Sequence, residues 1–368
     1  MKRNHYSVIL LILSILITAC VDLSPTSVPE TPPPSVVSDG FTPIELGAGY
    51  GFKDGWIEIY FTNPASPLAP QRTGGIDGPL AEAIDSARLT VDVAIYSLSL
   101  NSVRDALLRA HDRGVRVRIV MESDNLDRSD PQRLKDAGIP FLGDRREGLM
   151  HNKFVVIDGS EVWVGGMNYT DSGAYEDNNV MLRIRSVKMA ENYTREFEEM
   201  FVEDRFGDNI LAETPNPRVT IDGTPVDTYF SPDDGVQSIL VDILSEAQES
   251  IYFMAFSFTA DPLGDAIRAR AREGVTVAGV MDEEQVQSNQ GTEFDPFRQS
   301  GLEVYKDGNA GQMHHKIIIV DEGIVIVGSY NFTNSAESRN DENLLVIYHD
   351  GIASLFMDEF RRIFGESK

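Results

Sequence analysis

Apolar and polar positions along this chain change period several times. Val236, Ile239, Leu240, Ile243, Leu244 and Ala247 follow helical spacing, and the uncharged run "SIYFMAFSF" behind them predicts a buried strand. A helix over "PLGDAIRARAREG" comes next, with Gly274 placed to end it, and then the strand "VTVAGVMD". An earlier part of the chain runs through the same order in "VDVAIYSLS", "SVRDALLRAHDRG" and "VRVRIVME". Farther along, "HNKFVVID" and "HHKIIIVD" carry β-branched or aromatic runs that predict central strands. Apolar-periodic helices, "AENYTREFEEMF" (190–201) and "IASLFMDEFRRIF" (352–364), close the two parts. Apolar strands alternating with helices predict an α/β fold whose sheets are covered on both faces.

The two runs of elements are copies. Residues 96–122 match 256–282 at a constant offset of 160, and 150–169 match 313–332 at an offset of 163. The last pair, "MHNKFVVIDGSEVWVGGMNY" and "MHHKIIIVDEGIVIVGSYNF", agrees at eight of 20 positions. Those eight include one His, one Lys, one Asp and one Asn in each copy, while apolar residues exchange freely. A repeat this long is a duplicated domain and not a solenoid unit. The expected architecture is two homologous α-β-α sandwich domains related by a pseudo-two-fold axis, with the active site at their interface. Residues 49–210 form the first domain, 211–228 a connector and 229–368 the second.

The N-terminus adds an address. "MKRNHYSVILLILSILITAC" has two cations, an apolar run too short to cross ~30 Å of hydrocarbon, and small residues before Cys20. It reads as a signal peptide over 1–20 that ends like a bacterial lipobox, with Cys20 lipidated. Residues 21–48, rich in Pro, Ser and Thr at their start, read as an extended tether. The expected location is outside a bacterial membrane, lipid-anchored at the cell surface or in the periplasm. Cys20 is the single cysteine, so neither an internal disulfide nor a multi-cysteine metal site is available. The formal charge of −26 repels polyanions at long range, which argues against nucleic acid unless a basic groove survives locally.

Side chains two apart on a strand share a face, so His151 lies with Lys153, and His314 with Lys316, at the strand starts. Asp158 and Asp321 fall in the turns that follow. Gly165 and Gly328 end the next strands, and a hairpin can return Asn168 and Asn331 toward the histidines. Two histidines, two lysines and two asparagines in mirrored sets suit a phosphodiester. The lysines and asparagines can bind non-bridging oxygens. One imidazole can attack phosphorus while the other protonates the leaving alkoxide. Asp177 and Glu342, 26 and 28 residues after their histidines, are the candidate carboxylates to orient the rings. No H-E-x-x-H motif occurs, and lysines stand where a cation would bind, so no metal is expected. His315, beside His314, points to the opposite strand face, toward packing.

H-x-K-x4-D followed by G-(G/S)-x-N, present twice, resembles the phospholipase D superfamily, and the likeness spans about residue 55 to the C-terminus. It implies phosphodiester transfer without metal or other cofactor, through a covalent phosphohistidine. By position, His151 and His314 become nucleophile and general acid, with His151 favoured as the nucleophile. Lys153, Lys316, Asn168 and Asn331 become phosphate ligands, and Ser329, which replaces Gly166 of the first copy, an added donor. Asp158 and Asp321 look structural in the family. The site is expected to be complete in one chain. A phospholipid headgroup ester, preferably a neutral one, is the expected substrate. An exported nuclease acting on DNA or RNA, a phosphatidyl transferase and a non-catalytic phosphate-ligand binder are the alternatives.

Overall fold

The computed structural model describes residues 40–368. The leader, Cys20 and the tether up to residue 39 lie outside the described residues.

The first sheet holds nine strands. They are β1 (Thr42–Leu46), β2 (Gly49–Asp54), β3 (Ile57–Thr62), β4 (Thr90–Ile95), β5 (Arg116–Met121), β6 (Phe141–Gly143), β7 (Lys153–Ile157), β8 (Glu161–Gly165) and β9 (Val180–Arg185). Their order across the sheet is β1-β2-β3-β9-β8-β7-β4-β5-β6. The second sheet holds β10 (Arg218–Ile221), β11 (Thr224–Ser231), β12 (Ser250–Ala255), β13 (Thr276–Met281), β14 (Glu303–Lys306), β15 (Lys316–Val320), β16 (Ile324–Gly328) and β17 (Glu342–Tyr348). Its order is β10-β11-β17-β16-β15-β12-β13-β14, the first arrangement less one edge strand. Each sheet is mixed: β4, β5 and β6 run parallel, as do β12, β13 and β14, while the hairpins β7–β8 and β15–β16 are antiparallel.

Strand alternation divides the core into three. Val155 and Ile157 of β7 face an outer cluster with Val93 and Leu107, whereas Phe154 and Val156 face inward. In β15, Ile318 and Val320 face the outer cluster of the second half, and Ile317 and Ile319 face inward. The inward faces of both sheets merge into one cluster with Tyr193 and Phe197 of the helix Val187–Phe201 and Phe356 and Phe360 of the helix Asp350–Glu366. The α-β-α layering predicted for each half is present, and the inner helical layer is common to both. This shared core fixes the two sheets rigidly enough to build one site from both.

Two segments carry more regular structure than expected. Residues 211–228, expected as a connector, hold β10 and the start of β11, which pairs with β17. Residues 42–48, expected as the end of the tether, hold β1 and its turn. Both new strands lie at sheet edges, with short, half-exposed sequences such as "TPIEL" and "RVTI", so neither has the apolar run that marks a central strand. The β1–β2 hairpin also clasps the other half, because the Tyr50 hydroxyl hydrogen-bonds to Glu359 of the C-terminal helix.

The motif aspartates act in the frame. Asp158 takes φ 52° at its turn and accepts the backbone N–H groups of Arg88, Leu89 and Thr90 at 2.7–3.2 Å. Asp321, at φ 50°, does the same for Gln248, Glu249 and Ser250. Burial pushes each carboxyl's pKa up, but three amides outweigh it and the pKa lies below the ordinary value. Asp158→Ala is expected to lower stability by about 1–2 kcal/mol, read as a lower denaturation midpoint, with turnover per folded molecule unchanged. The native pKa is depressed, so this contribution is present above about pH 4 and disappears as pH falls through the native pKa.

Candidate active site

The two halves meet through backbone pairs that place both histidines at one seam. Met150 bridges Asp341, and Met313 bridges Asn178, both in parallel fashion. His151 N–H donates to the Asp341 carbonyl at 3.0 Å, and His314 N–H to the Asn178 carbonyl at 3.0 Å. Each histidine is thus hung on the lead-in to the last strand of the opposite half. The residues ahead of the histidines are held in turn by carboxylates: Met150 N–H donates to Glu122 Oε2 at 2.9 Å, and Met313 N–H to Asp282 Oδ2 at 3.0 Å.

Both rings are oriented across the seam. His151 Nδ1 lies 2.7 Å from Glu342 Oε2, and His314 Nδ1 lies 2.9 Å from Asn179 Oδ1. An acceptor at Nδ1 fixes its proton there and leaves Nε2 as the reacting nitrogen. Glu342 therefore meets the expectation of an orienting carboxylate, although it serves the histidine of the other half. Asp177 does not orient a histidine. Its Oδ1 accepts the Gln312 N–H at 2.9 Å, and its own carbonyl accepts the Thr62 hydroxyl at 2.7 Å. The ladder explains the correction: Gly165 pairs with Met181 and Gly328 with Leu344, so two residues earlier Asn179 and Glu342 are the equivalent positions. Carrying the motif offset of 163 forward from Asn179 also reaches Glu342, a signal present in the chain.

Lys153 and Lys316 are 1% exposed. Each ammonium hydrogen-bonds to the carbonyl of its own histidine, His151 or His314, at 2.8 Å. Neither forms an ion pair among the described residues. Burial depresses Lys153, against the pull of Glu342, to a pKa of about 7. Burial and then the charge of Lys153 hold Lys316 well below the ordinary lysine value. Burial also lowers both imidazoles; Glu342 counteracts this at His151, while Lys316, Lys153 and His151 add to it at His314. Cations of each half thus act on the histidine of the other. Neither ammonium has a direct acid partner among the described residues, and Glu342 acts on both from farther off.

Asn168 and Asn331 follow the hairpins as expected. The pairing Phe154↔Val164 carries the chain beyond Gly165 back to the histidine end of β7. The Oδ1 atoms of both asparagines are buried without a hydrogen-bond partner. Gly165 and Gly328 are required by close approach, since a Cβ would lie 2.3 Å from the Val180 carbonyl oxygen and 2.2 Å from that of Asn343. Ser329 departs from its expected role as a phosphate donor. Its hydroxyl donates to Glu342 Oε2 at 2.7 Å and accepts from the Asn343 N–H at 3.0 Å and Nδ2 at 3.3 Å, which exhausts its capacity. It positions Glu342. At Gly166, its counterpart, a Cβ would lie 3.3 Å from the His314 carbonyl oxygen, so a serine there would fit only if that neighbour gave by a few tenths of an ångström.

Aromatic rings flank each half of the site. Tyr96 packs edge-on to His151 at 5.3 Å, and Phe256 to His314 at 4.7 Å, with Lys316 Nζ 4.5 Å from the Phe256 centroid. These two residues stand in equivalent positions at the ends of β4 and β12. They went unnoticed in the sequence because a strand-end aromatic looks like any core residue.

The chain is similar to several known proteins. The chain is 34% identical over 146 residues to a mitochondrial cardiolipin hydrolase of Canis lupus familiaris, a match covering 39% of this chain and 57% of that protein. The match thus spans little more than half the length of that relative. A phospholipase D of Rickettsia bellii is 28% identical over 41% of this chain and 77% of its own length. The crystal structure of phosphatidylserine synthase from Haemophilus influenzae covers 79% of this chain and 84% of that one with a TM-score of 0.60, at 14% identity, and so shares the fold. The family model described as "Cardiolipin synthase, PLD-like domain" matches residues 80–201 and 240–364, once in each half. The chain belongs to the phospholipase D-like family, with both of its domains in one polypeptide.

Proposed function

We propose that the protein is a phosphodiesterase that hydrolyses the headgroup ester of glycerophospholipids through a phosphohistidine at His151. The observation that carries this reading is the pair of buried lysines without direct acid partners, each bonded to the carbonyl of a histidine whose Nδ1 is already engaged. The ammonium groups and the amides of Asn168 and Asn331 hold the non-bridging oxygens. His151 Nε2 forms a bond to phosphorus as the bond to the leaving oxygen breaks, and the proton on His314 Nε2 passes to that oxygen. Water then attacks phosphorus, gives a proton to His314, and releases His151.

The unequal supports favour these roles. A ring bonded to phosphorus carries positive charge, and Glu342 stabilises that charge behind His151. Asn179 offers His314 only a neutral acceptor, so the protonated ring gives up its proton readily. Lipid is favoured over nucleic acid by the net charge of −26 and by carboxylates beside the site, Asp177 and Asp282, that act on Lys316. The relatives named as cardiolipin hydrolase and phospholipase D point the same way. A lipid on Cys20 would hold the cleft near its substrate on the outer side of a bacterial membrane. The experiment is headgroup release from phosphatidylcholine vesicles against cleavage of single-stranded DNA, both in EDTA. DNA cleavage without lipid turnover would replace this reading by the nuclease one, and transfer of phosphatidyl to an alcohol with no hydrolysis when water is the sole acceptor would make it a transferase.

The pH dependence follows from the depressed pKa values. Free enzyme must hold protons on His314 and Lys153 to bind and cleave an anion, and both lose them at lower pH than usual. kcat/KM is expected to be bell-shaped with its alkaline limb starting below about pH 7. The limb of kcat should lie higher, because the bound phosphate raises both pKa values. An alkaline optimum for kcat/KM would contradict the assignment.

A further inference from the structure

Glu342 does not stand alone behind His151. Its Oε2 receives the His151 Nδ1 proton and the Ser329 hydroxyl, both at 2.7 Å. Asn343 occupies both acceptor positions of that hydroxyl, so its hydrogen can point only to Glu342. Asn343 Nδ2 also donates to Asn152 Oδ1 at 2.9 Å, and Asn152 Nδ2 donates to Glu196 Oε1 at 3.1 Å. Every member is buried: Asn152, Ser329, Glu342 and Asn343 are 0% exposed and Glu196 2%. The chain of donors starts at the histidine and ends on Glu196.

The duplicated half provides an internal comparison. At the offset of 163, Glu359 is the equivalent of Glu196, His315 of Asn152, and Arg362 of Glu199. Glu359 meets His315 at 2.9 Å and Arg362 at 2.7 Å, a balanced set that holds its carboxyl ionised. Glu196 has no such cation. Burial, then Asp233, Asp341 and Glu199, push its carboxyl well above the ordinary value against the hydrogen bond from Asn152, and its Oε1 is the atom that accepts from Asn152 Nδ2. Gly166 and Val180 stand where the chain has Ser329 and Asn343, so nothing comparable reaches His314.

A primary amide can turn over and exchange its donor for its acceptor. Asn343 leaves its Oδ1 buried without a partner, an orientation that its neighbours impose. If Asn152 turned, its NH2 would face that of Asn343; Asn343 would turn in response and offer Oδ1 to Ser329, whose hydroxyl would then leave Glu342. We propose that Glu196 is a positioning residue for His151: as the fixed acceptor at the end of the Asn152–Asn343–Ser329 chain, it selects the one orientation in which Glu342 is held against the imidazole. This rests on the assignment of His151 as the reacting histidine.

Full-length protein carrying Glu196→Leu, Glu196→Gln or Asn343→Val tests it. Asn343→Val copies the residue that the other half tolerates at the same place, and breaks the chain independently of Glu196. Glu196→Leu and Asn343→Val are each expected to lower kcat about 10–100-fold with KM little changed, and no further when combined. The loss should be equal for aryl and alkyl phosphodiesters, since it acts through the nucleophile and not the acid. Gln keeps a carbonyl acceptor but can itself turn over, so Glu196→Gln should fall between wild type and the Leu variant. The hydrogen-bonded Nδ1 proton of His151, followed by NMR, should move upfield in the Leu variant and less far in the Gln variant. An unmoved proton with unchanged kcat in folded Glu196→Leu overturns the inference, as does an unchanged kcat in folded Asn343→Val. Wild-type protein inactive on every phosphodiester would instead overturn the proposed function, and the NMR signal would still decide the role of Glu196.

Discussion

Replacing His151 by Asn leaves no phosphoenzyme and lowers turnover about 10⁴-fold or more, whatever the leaving group. The size of the loss follows from what the side chain supplies. Asn keeps the volume and some hydrogen bonding but has no nucleophilic nitrogen, and Lys153, Lys316 and the two asparagines can then only bind. Binding should survive, so a non-cleavable phosphodiester analogue is expected to protect the variant from thermal unfolding as it protects the wild type. The measurement is alkaline quenching of a phosphorus-labelled substrate, which preserves an acid-labile N–P bond, followed by counting protein-bound label. Label trapped on His151→Asn would transfer the nucleophile to His314 and invert the roles drawn from Glu342 and Asn179.

His314→Asn behaves differently, and the difference is diagnostic. With an alkyl leaving group, loss of the general acid should lower turnover about 10²–10⁴-fold. With an aryl leaving group that departs without a proton, the first step should survive. One equivalent of phenol is then released rapidly, after which the reaction stalls because no base activates water. Protein-bound label should therefore accumulate in this variant and be absent from His151→Asn. Equal impairment on both substrate types, without accumulation, would show that His314 is needed for binding or folding and not as the acid.

Much of this was legible in the residues. The offsets between copies, the β-branched runs after Lys153 and Lys316, and the two-residue spacing of His and Lys are local patterns, and local geometry converts them directly into strands and faces. His315 falls on the inner face opposite His314, as the alternation requires, and meets Glu359 there. Edge strands escaped because their stabilisation comes from a neighbouring strand and not from their own apolar content. "RVTI" has one buried side chain and is a strand because β11 lies beside it.

What depended on tertiary structure lies in contacts across the seam. Counting residues from each histidine pointed to Asp177, whereas ladder register selects Asn179, and only the meeting of the halves gives Glu342 to His151 and Asn179 to His314. Ser329 reads as a free donor until its three partners are seen to use all of its hydrogen-bonding capacity. Glu196 and Glu359 are the same letter at the same repeat position, yet the carboxyl of one is pushed up and that of the other down, because the shift is set by burial and by charges brought near in space. The chain by itself determined which residue types come together and how often; folding decided which partner each one received, since that depends on atoms far apart in sequence.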